Sequence, residues 1–83
     1  MNDRVHELKI WPNYFGAILS GHKLFELRQD DRGFQCGDVL ELKEWDPVTG
    51  EYSGSFTFRQ VTFILHSHPG LGVGYVVMGL GPA

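Results

Sequence analysis

Eighty-three residues, 42% of them hydrophobic, supply one small core and no second one, so a single domain over residues 1–83 is expected. Seven Lys and Arg against ten Asp and Glu give a formal net charge of −3, which argues against a coat for long polyanions and leaves room for a local basic cleft. One cysteine, Cys36, excludes an internal disulfide and a Cys-rich zinc site, and makes the reducing cytoplasm the expected compartment. Polar and charged residues at Asp3, Arg4, His6, Glu7 and Lys9 rule out an apolar leader, and no run approaches the ~18 apolar residues of a membrane span. A soluble protein with no membrane partner is expected.

Val5 to Ile10 reads as a first strand, stopped by Pro12, which cannot extend a ladder. A short helix follows: Pro12 suits its first turn, Tyr14, Phe15, Ile18 and Leu19 recur at helical spacing, and Gly21 stands where a left-handed C-terminal cap belongs. His22 to Gln29 has an apolar member in each alternating set, which predicts a second strand covered on both faces. Gln29 to Asp38 is loop, and Val39 to Trp45 a third strand, ended by the turn pentapeptide Asp46-Pro47-Val48-Thr49-Gly50.

The fourth strand runs from Tyr52 to His66, and its apolar residues change phase near Gln60, where a bulge or bend is expected. After a Gly/Pro loop from His66 to Gly74, Tyr75 to Leu80 closes the chain as a central strand. The excess negative charge lies in residues 33–59; from Gln60 onward there is no formal charge, and this tail reads as core. Five strands, one of them long and bent, with one early helix predict a mainly β fold: a small, partly open barrel carrying one principal helix.

The densest chemistry is Gly21-His22-Lys23-Leu24-Phe25-Glu26-Leu27-Arg28, three charges of both signs where a helix end meets a strand. Two readings stand side by side. An exposed lattice of ion pairs is common on strands and contributes little stability. Alternatively, Arg28 offers a planar fork for a phosphate or a base edge, Lys23 a mobile point charge, and Glu26 an acceptor for amino groups.

The run Leu8-Lys9, Tyr14-Phe15, Ile18, Gly21-x-Lys23-x-x-Glu26-x-Arg28 resembles the G-x-K-x-x-E-x-R motif of the ASCH domain, the activating signal cointegrator homology family of PUA-like fold. The likeness extends through Gly37-Asp38-Val39-Leu40 to the closing Tyr75-Val76-Val77-Met78-Gly79-Leu80. More narrowly, His6 to Pro12, Gln29 to Arg32 and Glu44-Trp45-Asp46-Pro47 are similar to small bacterial and phage proteins of that family with no assigned function. The resemblance implies a PUA-like barrel that binds RNA or a modified nucleobase in a cleft between helix and barrel. Lys23, Glu26 and Arg28 match the motif directly, Gly21 matches the turn that presents it, and Lys9 matches a basic residue at the end of the first strand. Some ASCH members resemble amidohydrolases acting on modified cytidine. Those carry a hydroxyl residue where Glu26 stands and a later acid, whereas residues 60–83 hold none here, so a binding module is favoured over a hydrolase.

Around the motif, Trp11 and Trp45 are candidates to stack on a base, while Tyr14 and Phe15 are assigned to packing by their helical spacing; Arg32 is a rim candidate. His66 and His68, two residues apart, could share a zinc ion with a third ligand, but no Cys or acid lies near them in sequence and histidines in such loops more often satisfy backbone groups. Cys36 is expected to pack rather than react. Gly70-Leu71-Gly72-Val73-Gly74 lacks the lysine and the following helix of a phosphate loop. No metal or cofactor is expected.

Two functions from different classes follow. One is a module binding a short RNA, a nucleotide or a nucleoside through Lys9, Lys23, Glu26 and Arg28. The other is a small amidohydrolase for an acylated nucleoside such as N4-acetylcytidine, with Lys23 as amine or oxyanion stabiliser and Glu26 as general acid/base. A protein-interaction surface over acidic residues 38–51 is a third. An acidic chain favours a small or short ligand, because long RNA needs many phosphate contacts.

Overall fold

A computed structural model describes residues 4–83; Asp3, one of the residues counted against a leader, lies outside them. Within this range the order is β1 (Val5–Ile10), α1 (Pro12–Leu19), β2 (Phe25–Gln29), β3 (Val39–Asp46), β4 (Glu51–Leu65) and β5 (Tyr75–Pro82). The strands form one sheet in the order β1-β3-β4-β5-β2, with β1 parallel to β3 and the other pairs antiparallel. The sheet curls into a half-barrel, so the expected mainly β, partly open barrel with one principal helix is what forms. No helix among the described residues is long and apolar enough to cross a membrane.

The curl depends on β4, which changes partners along its length. Residues 51–60 pair with β3 and residues 59–65 with β5. The register breaks between Val61 and Phe63, just beyond the expected Gln60, and the β3 pairing breaks again between Lys43 and Trp45. Each irregularity tightens the local twist and turns the strand around the core.

Helix α1 begins as its sequence dictates: Trp11 is extended, Pro12 occupies the first turn, and the Phe15 amide donates to the Trp11 carbonyl at 2.8 Å. It ends in a Schellman arrangement, with Gly21 at φ 81°, its amide donating to the Ile18 carbonyl, and the His22 amide reaching back to Ala17. The Lys23 amide also donates to Ala17. His22 and Lys23 therefore close the helix instead of opening the second strand, which starts at Phe25 and not at the expected His22; the Leu24 carbonyl already accepts the Leu80 amide at 3.0 Å.

Leu8 and Ile10 of β1, Leu40 and Leu42 of β3, Val61 of β4, and Val76, Met78 and Leu80 of β5 point into the core; Phe15 and Ile18 of α1 and Phe34 of the long loop close it. Several expected core residues lie outside. Tyr14 and Leu19 are exposed, because the short helix buries only one narrow stripe. β2 is an edge strand rather than one covered on both faces: Phe25 and Leu27 are about half exposed, and Glu26 is the residue turned inward. In the uncharged tail, Phe63 and Leu65 face outward in the rows of Phe25-Gly79-Phe63 and Leu27-Val77-Leu65. Cys36, expected to pack, is exposed in the loop before β3.

Candidate ligand cleft at the open side of the sheet

Glu26 is the centre of the cleft. The turn at Gly21 sets the start of β2, and the two-residue alternation of a strand then puts Glu26 and Arg28 on the inner side. At 4% exposure, the Glu26 carboxylate needs partners, and it has two: Lys23 Nζ donates to Oε1, and Arg28 Nε donates to Oε2 at 2.6 Å. Lys23 Nζ also donates to the Phe25 carbonyl at 2.8 Å, and Arg28 Nη2 to the Lys9 carbonyl on β1. The charges of the motif are thus a connected, largely buried network and not an exposed lattice.

Lys9 projects from β1 over the rings of β3 and β4, with Nζ 4.6 Å from the Trp45 centroid and 6.0 Å from that of Tyr52. Trp11 and Tyr14 stack with centroids 6.0 Å apart and planes 23° apart, each about half exposed. Lys9, Trp11, Tyr14, Glu26 and Arg28 line one cavity of about 420 Å³, together with Gln29 and Tyr75. Lys23 lines an adjoining cavity of about 450 Å³ with His22 and Phe25; this cavity shares Tyr14, Glu26 and Leu27 with the first.

Two expected site residues lie elsewhere. Gly21 shapes the turn without lining the cavity, and Trp45 supports the Lys9 ammonium. Arg32 does reach the rim: its Nη1 donates to the Glu7 carbonyl at 2.8 Å, and it lines an adjoining cavity of about 290 Å³ with Glu7, Leu8, Lys9, Arg28, Lys43 and Tyr52. There Lys43 donates to Glu7 Oε1 at 3.2 Å, and the carboxylate raises the Lys43 pKa from its ordinary 10.5.

A larger cavity, of about 850 Å³, opens between the loops around Gln35 and His68; Asp30 is its one formally charged lining residue, and Gln35, Cys36, His66, Ser67 and His68 are among its polar ones. Of its histidines, His68 accepts the Gly70 amide at Nδ1 (3.0 Å), the backbone role expected of it, and His66 Nδ1 lies 3.3 Å from Ser67 Oγ.

A family model described as "Domain of unknown function (DUF3850)" matches residues 5–80. The chain belongs to the DUF3850 family. An "Uncharacterized 12.9 kDa protein in GpA 3'region" of Escherichia phage P2 is 37% identical over 62 residues, covering 75% of this chain and 55% of that protein. The chain therefore spans about half the length of the curated relative it matches.

Sequence reasoning missed several residues of this candidate site. Tyr14, whose helical spacing predicts packing, lines the cleft instead. Lys43 and Tyr52 join it only because the parallel register sets Lys9 opposite Lys43 and the β3–β4 hairpin sets Tyr52 opposite Trp45. A second buried acid also went unread: Asp38, fully buried, accepts from His6 Nε2 and from the Gln35 amide, each at 2.9 Å, with Arg4 Nη2 at 3.6 Å. The Gly37-Asp38 pair at the strand start was its one sequence signal.

Proposed function

We propose that this chain is a binding module for a short RNA, a nucleotide or a modified nucleoside, whose base enters the cavity between β1 and β2. The observation that carries the reading is the meeting, in one cavity, of the stacked Trp11–Tyr14 pair with the buried Glu26 carboxylate and the Arg28 fork. Exposed ring faces offer a base a stacking platform worth roughly 1–3 kcal/mol. Carboxylate and guanidinium supply the acceptor and donors that read a base edge, and each carboxylate oxygen has a second lone pair beyond the one its cation uses. The likeness of the Lys23-x-x-Glu26-x-Arg28 motif to ASCH domains, with their PUA-like barrels, supports the same reading. The single cysteine keeps the reducing cytoplasm as the compartment we favour.

The Lys23 contacts favour binding over hydrolysis. Its Nζ forms an ion pair with the Glu26 carboxylate and also donates to the Phe25 carbonyl, and an ammonium so held has three donors and no lone pair with which to attack a substrate. A panel of nucleosides, nucleotides and short oligonucleotides tests the reading by thermal shift, where a ligand at 100 times its dissociation constant adds about 2.7 kcal/mol. Stabilisation by at least one member, weakened in Arg28→Ala, is expected; no response from any would overturn the reading. In parallel, release of free nucleoside from acylated cytidines by the wild type, abolished in both Lys23→Ala and Glu26→Gln, would replace the binding module with a hydrolase.

A further inference from the structure

We infer that the ligand carries a phosphate group, and that Lys9, Arg28, Arg32 and Lys43 hold it in the cavity adjoining the base cleft. The inference rests on the binding reading above and specifies the ligand's chemical class. In a chain of formal charge −3, four cations and one carboxylate, Glu7, line this cavity of about 290 Å³, while just outside it Glu26 pairs with Arg28 and Asp31 lies 3.7 Å from Arg32 Nε. The concentration of positive charge is therefore local and opposes the charge of the whole.

Strand pairing makes the arrangement costly without an anion. The parallel register of β1 and β3 sets Lys9 against Lys43, and like charges on neighbouring strands repel. Glu7 offsets one of the two, since its contact is with Lys43. Lys9 has its ammonium over Trp45, and no ion pair among the described residues includes it. Facing these lysines are two guanidinium groups already fixed in place: Arg28 by Glu26 and the Lys9 carbonyl, Arg32 by the Glu7 carbonyl. A guanidinium has five donors, so each retains N–H groups beyond those contacts, and a fork already held in position loses little freedom on meeting an anion. A phosphate offers what this set lacks, a compact anion with several acceptor oxygens.

The place of the cavity decides what bears the phosphate. It shares Lys9 and Arg28 with the cavity of the Trp11–Tyr14 platform, so base and phosphate sites meet at these two side chains. A nucleotide, with its base and phosphate joined through one sugar, suits two adjoining sites, whether as a free monophosphate or as one residue of a short RNA. Glu7 marks the limit of the site, since its carboxylate repels the same anion.

Isothermal titration of the intact chain with a nucleoside, its 5′-monophosphate, the corresponding dinucleotide and inorganic phosphate tests this. The monophosphate is expected to bind at least about tenfold more tightly than the nucleoside, and the preference should shrink as salt rises. Lys43→Ala and Arg32→Ala should reduce that preference, weakening the monophosphate more than the nucleoside; Glu7→Gln should strengthen phosphate binding; Arg59→Ala, the same charge loss at a residue outside the cavity, should do neither. Tighter binding of the monophosphate identifies a terminal phosphate, and tighter binding of the dinucleotide a backbone diester. Equal affinity for nucleoside and phosphorylated forms would overturn the phosphate site and leave the base reading standing. Binding of inorganic phosphate that Lys43→Ala abolishes, with no response to any nucleoside, would uphold the phosphate site and reject the base reading. No binding of any phosphate-bearing compound would overturn the inference.

Discussion

Arg28 on β2 donates from Nη2 to the main-chain carbonyl of Lys9 on β1, so one guanidinium spans the two strands at opposite ends of the sheet order. The Val39 amide takes the Arg4 carbonyl, which places the carbonyls of Glu7 and Lys9, of the other parity, on the outer edge of β1. Arg32 and Arg28 occupy them. An edge that would otherwise present a row of acceptors is thus covered by side chains, and the same two arginines face the cleft.

Removing that bridge should loosen the barrel. Arg28→Ala deletes charge-assisted bonds to Glu26 and to the Lys9 carbonyl and is expected to cost about 2–3 kcal/mol in urea unfolding. Arg28→Lys should recover less than half of this, because an ammonium lacks the fork that reaches both acceptors. Equal stability of all three proteins would show that the bridge contributes nothing.

Glu26 should behave as a buried counter-ion. Glu26→Ala leaves Lys23 and Arg28 without their carboxylate and is expected to cost about 2–3 kcal/mol, under the ~3–5 of a fully buried pair because both cations reach solvent. Combined with Arg28→Ala, the loss should fall short of the sum of the single losses by at least about 0.5 kcal/mol, the signature of a shared network. Strict additivity in a double-mutant cycle would mean that the two act independently.

Asp38 forms the corresponding anchor at the start of β3. Asp38→Ala removes the acceptor of the His6 imidazole and the Gln35 amide and is expected to cost about 2–3 kcal/mol. Chemical denaturation measures it, and a loss below about 0.5 kcal/mol would rule out a structural role.

The Lys43–Glu7 pair should respond to alkali. A lysine whose pKa is raised in the folded state adds stability below its unfolded value, and that contribution is lost as pH rises through the folded value. An NMR titration of the Lys43 side chain should therefore find its midpoint above 10.5 in the wild type and nearer 10.5 in Glu7→Gln. An unchanged midpoint in the variant would remove Glu7 as the cause.

Local chemistry carried much of the molecule. Pro12 and Gly21 bound the helix because one suits its first turn and the other adopts a left-handed cap, and the Asp46 to Gly50 turn closes through the Asp46 side chain accepting the Val48 amide at 2.8 Å. The phase change near Gln60 announced the bend of β4 because a strand's faces alternate strictly by two. That same alternation says which residues share a face and leaves open which face is inside. His22 to Gln29 has an apolar member in either set, and only the pairing of β2 along β5 settled that Glu26 turns in while Phe25 and Leu27 turn out. The inward placement became tolerable because Lys23 and Arg28 satisfy the carboxylate. Partners distant in sequence were decided by tertiary structure alone: the Lys9 carbonyl for Arg28, the Trp45 ring for Lys9, His6 for Asp38, and Lys43 beside Lys9. Spacing along the chain encodes neighbours within an element, whereas these contacts depend on which strands lie side by side and in what register.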